Sequence, residues 1–149
     1  METFAFVDTN LLLHYQLFTE VDCHKQLGVA DVTLILAPVV VSEVDEHKWS
    51  GARREKARAK SVTKKLLSLG LSSTPVRLRP GVQALALDEE PSDALLAQHR
   101  LHARSNDDRL LASFLKFRDE RPQARVLIIS ADGGLPFRVR RCAGAPMLA

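Results

Sequence analysis

Two short apolar runs, each followed closely by an acid, are the feature that most limits what this chain can fold into. Residues 4–7 (FAFV) lead directly into Asp8, and residues 126–130 (VLIIS) are followed after one residue by Asp132. Neither run alternates apolar with polar side chains, which favours strands buried on both faces. Strands of that kind are typical of a parallel sheet covered by helices.

A third apolar run, residues 32–41 (VTLILAPVVV), contains Pro38. Proline cannot donate a hydrogen bond inside a sheet, so we expect the strand to end near Ala37. Ser42 is a residue type that caps helices, and we expect it to start a helix at Glu43.

The remaining elements follow from helical spacing and from turn residues. We predict helices after Thr9-Asn10, over 52–69, over 92–102, from Asn106 until Pro122, and from the basic stretch FRVRR at 137–141; residues 76–78 and 82–87 are predicted to be two short strands. Strands alternating with helices indicate an α/β fold, here three α/β/α layers around a central parallel sheet of four to five strands.

Length and composition narrow the class of protein. A chain of 149 residues is predicted to be one domain, with a core over 1–143 and a tail over 144–149 that is typical of the start of a linker. Cys23 and Cys142 lack metal-ligand spacing and fit a reducing compartment, so we expect a cytoplasmic protein. No apolar run approaches the roughly 20 residues of a membrane span, and the amino terminus lacks the basic region of a secretory signal. The net charge of +3 permits nucleic-acid binding.

The acids that follow the predicted strands and open the predicted helices are the candidate site residues. The carboxyl ends of parallel strands meet at one edge, where α/β proteins place their sites. Asp8 and Asp132 are expected there, and the predicted helix starts at Glu43 and Asp108 point the same way. Four converging carboxylates repel one another unless a cation neutralises them. Mg²⁺ and Mn²⁺ prefer such oxygen ligands, so we predict a site for one of these ions.

An ordinary structural role stands beside this interpretation. Acids at helix starts commonly act as caps that favour the helix dipole, and Glu43 and Asp108 each fit that role taken singly. Asp8 is different, because an acid that closes a buried strand must either be desolvated or belong to a site.

Four segments, taken together, resemble the acidic motifs of the PIN-domain nucleases. They are FVDTN at 6–10, VVVSEVD at 39–45, NDDRLLA at 106–112 and IISAD at 128–132. Their order and spacing are also similar to that family, and the resemblance covers nearly the whole chain. It differs at 133–134, where two glycines replace the acidic or basic residue of many members.

The resemblance implies a role for each matching residue. Asp8, Glu43, Asp108 and Asp132 correspond to the four metal-binding, catalytic acids, with Asp107 as the alternative to Asp108. Thr9 and Ser130 correspond to hydroxyl residues beside the site, and Asn10 to a polar residue at the first helix start. The implied activity is a metal-dependent cut of RNA, by water, that leaves a 3′ hydroxyl and a 5′ phosphate.

Basic residues are candidate contacts for the phosphates of RNA. One group shares a face of the helix predicted at 52–69, and another follows the last acid: Arg53, Lys56, Lys60 and Lys64, and then Arg138, Arg140 and Arg141. A solvated helix face is the alternative for the first group. Trp49 either stacks on a base or anchors packing at the edge of the core, and we favour the anchor.

Other functions remain open at this point. A phosphate-receiver-like signalling domain shares the fold but expects an acid pair after the first strand, where only Asp8 stands. A catalytically silent PIN-like module would bind RNA or a protein. A toxin would pair with an antitoxin-like protein, in contrast to an RNA-processing enzyme. Single-stranded RNA is the expected partner in the nuclease interpretation, with a second copy of the chain as a further candidate.

Overall fold

A computed structural model describes residues 1–14, 23–49, 52–69, 74–130 and 138–139 of the chain. In chain order its elements are β1 (Thr3–Val7), α1 (Thr9–His14), α2 (Cys23–Leu27), β2 (Val32–Leu36), α3 (Pro38–His47), α4 (Arg53–Leu69), β3 (Val76–Arg79), β4 (Val82–Ala86), α5 (Asp93–Gln98), α6 (Asn106–Glu120), β5 (Arg125–Ser130) and β6 (Arg138–Val139). The predicted tail, 144–149, lies outside these residues.

The strands form one sheet in the order β3-β4-β2-β1-β5-β6. The four central strands are parallel, and β3 and β6 pair antiparallel at the two edges. Every residue of β1 is buried, as its uninterrupted apolar sequence predicts. The predicted α/β fold with a central parallel sheet is therefore confirmed, and two edge strands extend the sheet to six.

Aromatic packing fixes α6 against one face of the sheet. The Phe4 and Phe6 rings project from β1 and make edge-to-face contacts with Phe117 at centroid distances of 5.0 and 5.4 Å. Phe114 adds a third such contact, 5.8 Å from Phe6. α1, α3 and α4 pack against one another, and right-handed crossovers place them on the opposite face. Among the described residues, no helix is both long and apolar enough to cross a membrane.

The strand order reverses direction beside β1. The chain moves from β1 to β2 and then to β4 on one side, whereas β5 lies on the other side of β1. Such a reversal leaves a crevice at the carboxyl ends of the two strands, where open α/β sheets bind their ligands. The fold therefore directs attention to the ends of β1 and β5.

The second helix start differs from the prediction. α3 begins at Pro38, with Ala37 as the residue before it, so Ser42 and Glu43 lie inside the helix. Proline is well suited to the first helical position, because the amide hydrogen it lacks has no partner inside the helix there. Pro38 therefore both prevents β2 from continuing and opens α3.

The last predicted helix is also wrong at the positions that the structure describes. Arg138 and Val139 form β6, opposite Ser130 and Ile129 of β5. The alternation of basic and apolar residues in this stretch suits a strand, and the outer edge of β5 offers backbone groups that need partners.

The two short strands predicted near the middle of the chain form a hairpin, with Gly81 in its turn at φ +81°. A Cβ atom at this position would lie 2.6 Å from His24 Cδ2, because the imidazole packs directly on the glycine. The turn therefore needs glycine both for its backbone conformation and for space.

Candidate metal centre

Asp8 lies where β1 passes into α1. Its amide donates to Ile129 O at 3.1 Å and so continues the pairing of β1 with β5. Its own carbonyl accepts from the amide of Leu11, also at 3.1 Å, and so begins the helix. These two hydrogen bonds hold the Asp8 backbone at the crevice between β1 and β5.

Glu43 reaches the same edge from inside α3. Helical side chains incline toward the amino terminus of their helix, which for Glu43 is the end of α3 at the carboxyl edge of the sheet. The buried hydroxyl of Thr9, in the first turn of α1, donates to Glu43 Oε1 at 3.0 Å. This contact joins the first and second acidic segments of the sequence.

The surroundings of Glu43 raise the pKa of its carboxyl above the ordinary 4.5. Burial is the largest cause, and the negative charges of Asp8 and Asp107 act in the same direction. Hydrogen bonds from Thr9 and Asn106 oppose the rise and do not cancel it. The acid that follows β1 and an acid of α6 therefore both act on Glu43 at this edge.

Asn106 is a member of the site that the sequence analysis missed. Arg109 Nη1 donates to Asn106 Oδ1 at 3.4 Å, which leaves the amide nitrogen to donate to Glu43. Arg109 is held in turn by Glu90, 2.7 Å from its second terminal nitrogen. The sequence signal was the position of Asn106 immediately before the acid pair, at the first turn of α6.

The acid pair at the start of α6 divides into two roles. The Asp108 amide donates to the Ser105 hydroxyl at 3.2 Å, and Asp108 Oδ2 accepts from the amide of His102 at 2.8 Å. Ser105 is therefore the cap of α6, and the Asp108 carboxylate holds the loop that precedes this helix. Asp107, by contrast, is one of the acids whose charge acts on Glu43.

The other predicted site residues are placed less fully. Asn10 is exposed on α1. Ser130 ends β5, at the edge where Asp8 lies, but its side chain is outside the described part of the structure. Asp132, Arg140 and Arg141 lie outside the described residues, and Arg138 is described only through its backbone in β6.

Helix α4 concentrates positive charge. It contains the four predicted residues Arg53, Lys56, Lys60 and Lys64. Arg54, Arg58 and Lys65 bring its cations to seven, against the single acid Glu55. Arg53, Lys60 and Lys64 are exposed and Lys56 is half-buried, so the row is open to a ligand along most of its length.

The donor set at the crevice fits a hard divalent cation. Its side-chain ligands are carboxylate oxygens, which Mg²⁺ and Mn²⁺ prefer. Within the described ranges, no three His, Cys, Asp or Glu side chains are grouped as a complete metal-binding set. Mg²⁺ is usually held by one or two carboxylates and keeps several waters, so Asp8, Asp107 and the neighbouring Glu43 suit it without a closed cage.

Comparison with known proteins agrees with this geometry. No curated protein sequence matches the chain. The family model of the PIN domain matches residues 5–139, which include most of β1, all of β5 and all the acids discussed above. The chain belongs to the PIN-domain family.

Proposed function

We propose that this protein is a divalent-metal-dependent ribonuclease that hydrolyses phosphodiester bonds through Asp8, Glu43, Asp107 and Asp132. One observation carries the proposal: the Thr9 hydroxyl, next to Asp8, binds Glu43 at 3.0 Å, where burial and then the charges of Asp8 and Asp107 raise the pKa of the Glu43 carboxyl. Acids placed so that they repel one another suit a site that is completed by a cation.

The family gives the general class of activity. PIN domains are generally nucleases, and they typically use divalent metals. The choice of RNA as substrate rests on the resemblance of the acidic motifs. The seven cations of α4 suit any nucleic-acid backbone and support the same class.

The residues of the site divide the work between them. Asp8 and Asp107 would hold the ion and its waters, and Thr9 and Asn106 orient Glu43 through their hydrogen bonds. Glu43, with its raised pKa, is suited to accept a proton from the attacking water. When bound, a divalent ion lowers the pKa of water and stabilises charge on the phosphoryl oxygens.

The proposal is tested with pure protein and labelled single-stranded and structured RNA, with and without Mn²⁺. We expect cleavage only with metal, and we expect Asp8→Asn to reduce it by more than about 100-fold while the protein stays folded. Asp119→Asn is the matched control, because Asp119 is an exposed acid near the far end of α6. Its activity should equal that of the wild type.

Two outcomes would contradict the proposal. Equal cleavage by wild type and Asp8→Asn would mean that the activity comes from elsewhere. No cleavage of any RNA, together with no effect of Mn²⁺ on the melting temperature, would favour a catalytically silent member of the family.

A further inference from the structure

Trp49 is exposed, although the sequence analysis favoured a packing anchor. It follows the end of α3 and is 75% exposed to solvent, whereas the other four aromatic side chains that the structure describes are buried. Its amide donates to Glu46 O at 3.0 Å, so its backbone continues the last turn of α3. A large flat ring is therefore presented to solvent from a fixed backbone.

Lys48 stands beside this ring, where its Nζ also pairs with Asp45 Oδ1 at 2.9 Å, and the cations of α4 follow in the sequence. Lys48 Nζ lies 5.9 Å from the centre of the Trp49 ring, in cation–π contact. His47 Nδ1 lies 3.4 Å from Glu55 Oε2, which holds the first turn of α4 beside the end of α3. Arg53 and Arg54, both exposed, open that turn. The ring therefore lies at the junction where the cations of α4 begin.

The axial distance from Trp49 to Glu43, one of the proposed catalytic acids, is short. Glu43 and Trp49 are six residues apart on continuous helical backbone, since Lys48 keeps helical dihedral angles. At 1.5 Å per residue this is about 9 Å along the helix axis. A few nucleotides of an extended strand are enough to reach from one to the other.

Aromatic rings beside cations are what single-stranded nucleic acids bind to. Each base stacks on an aromatic face, while basic side chains follow the phosphates. A base inside a duplex is already stacked on both sides and has no free face to offer. An exposed aromatic ring beside cations therefore selects for unpaired bases, whereas cations alone suit any nucleic-acid backbone.

We infer that Trp49 is a stacking site for an unpaired base of the RNA substrate, a few nucleotides from the bond that is cut. The inference rests on the proposed function and adds a residue that selects the unpaired bases of the expected single-stranded substrate. Trp49 acts by positioning the strand, and the cations of α4 hold the adjacent phosphates.

The chain supplies its own probe, because Trp49 is its only tryptophan. The protein is titrated in EDTA, which prevents metal-dependent cleavage, with a single-stranded RNA oligonucleotide. The comparison ligands are the same RNA as a duplex and an abasic oligonucleotide of equal length. We expect the single strand to quench the emission of Trp49, and the duplex and abasic ligands to leave it nearly unchanged.

Affinity is measured in parallel by anisotropy of the labelled single strand. Trp49→Ala should weaken binding by about tenfold, and Trp49→Phe should restore most of it because a ring remains. Leu67→Ala is the matched control, because Leu67 is 78% exposed and lies on the basic helix α4. Its truncation removes exposed apolar surface but no aromatic ring. Its affinity should equal that of the wild type.

The outcomes separate this inference from the proposed function. Binding of single-stranded RNA without quenching, or with equal affinity in Trp49→Ala, overturns the stacking site even if the protein cleaves RNA. Self-association that Trp49→Ala abolishes, with no quenching by RNA, overturns it in favour of a protein interface. Quenching by single strands alone, with affinity lost in Trp49→Ala and retained in Trp49→Phe, supports it whether or not cleavage is found. In an active enzyme, Trp49→Ala should raise KM for single-stranded RNA more than it lowers kcat.

Discussion

The carboxyl edge of the sheet and the segment 88–90 are both rich in acids, and they are built in opposite ways. At the edge, the charges of Asp8 and Asp107 raise the pKa of Glu43. In the segment 88–90, Glu89 lies 3.0 Å from Lys116 Nζ and Glu90 lies 2.7 Å from Arg109. One region brings like charges toward each other, and the other pairs opposite charges.

The difference shows that the density of acids along the sequence does not identify a site. Three consecutive acids at 88–90 form a denser cluster than any in the PIN motifs, yet Glu89 and Glu90 have cationic partners. Glu89 even raises the pKa of Lys116, as an anion does beside the cation it stabilises. What distinguishes the edge is that two acids from separate parts of the chain, Asp8 and Asp107, influence the carboxyl group of a third, Glu43.

The sharpest test of the comparison uses two neighbours on one helix. Asp107→Ala should lower cleavage by about 10- to 100-fold, because the residue is proposed to hold the metal and its waters. Asp108→Ala should retain most of the activity and lower the free energy of unfolding by about 1 kcal/mol, because the hydrogen bond from the His102 amide to its carboxylate is lost. Initial cleavage rates and thermal melting measure both effects. The reverse pattern, with activity lost in Asp108→Ala alone, would return the metal-binding role to Asp108.

Metal binding should stabilise the folded protein through the acids at the edge. The acids of the segment 88–90 should contribute nothing to that gain. Mn²⁺ at a hundredfold excess over its Kd should raise the free energy of unfolding by about 2.7 kcal/mol. Asp8→Asn and Asp132→Asn should each reduce this gain, whereas Glu89→Gln should keep all of it. Melting curves in EDTA and in Mn²⁺ give the gain for each variant. A wild-type gain in Asp132→Asn would exclude Asp132 from the site.

Without metal, the edge should make the fold less stable as pH rises. The folded protein holds the Glu43 proton above pH 4.5, where the unfolded chain has begun to lose it. The contribution of Glu43 to stability is therefore fully present below 4.5 and is lost as pH rises through its raised pKa. Glu43→Gln should remove this loss, as seen in the difference between its urea melts and those of the wild type across pH in EDTA. Parallel pH profiles for the two proteins would mean that the fold does not raise the pKa of Glu43.

The smallest effect is expected in the segment 88–90. Glu89→Gln should leave cleavage unchanged and shift the melting temperature only slightly, because exposed ion pairs contribute little and are screened by salt. Melting at low and high salt checks this, and the small difference from the wild type should vanish at high salt. A clear loss of cleavage would show that acids outside the edge take part in the reaction.

The fold was largely predictable because an uninterrupted apolar run indicates a strand that is buried on both faces. The runs at 4–7 and 126–130 became β1 and β5, the strands on either side of the crevice. Pro38 was misread because the same residue that cannot continue a strand is favoured as the first residue of a helix. The stretch at 138–139 was misread because its pairing depends on the free edge of β5, which is a property of the assembled sheet.

The site was predictable in kind but not in detail. Asp8 and Glu43 follow from strand ends and motif order, and the structure joins them through Thr9. The choice between Asp107 and Asp108 depends on which carboxylate turns back to the His102 amide, and that rotation has no sequence signature. The prediction for Trp49 was wrong for a similar reason, because the exposure of a side chain at a helix end depends on how the neighbouring helices pack around it.

The contact between His24 and Gly81 limits how this sequence can change over evolution. Any side chain at position 81 would meet the imidazole at 2.6 Å, and its φ of +81° already disfavours most residues. A smaller residue at 24 would have to appear before, or together with, an asparagine at 81, which is the kind of residue that tolerates such a φ. In a collection of relatives these two positions should therefore vary as a pair, although they are 57 residues apart.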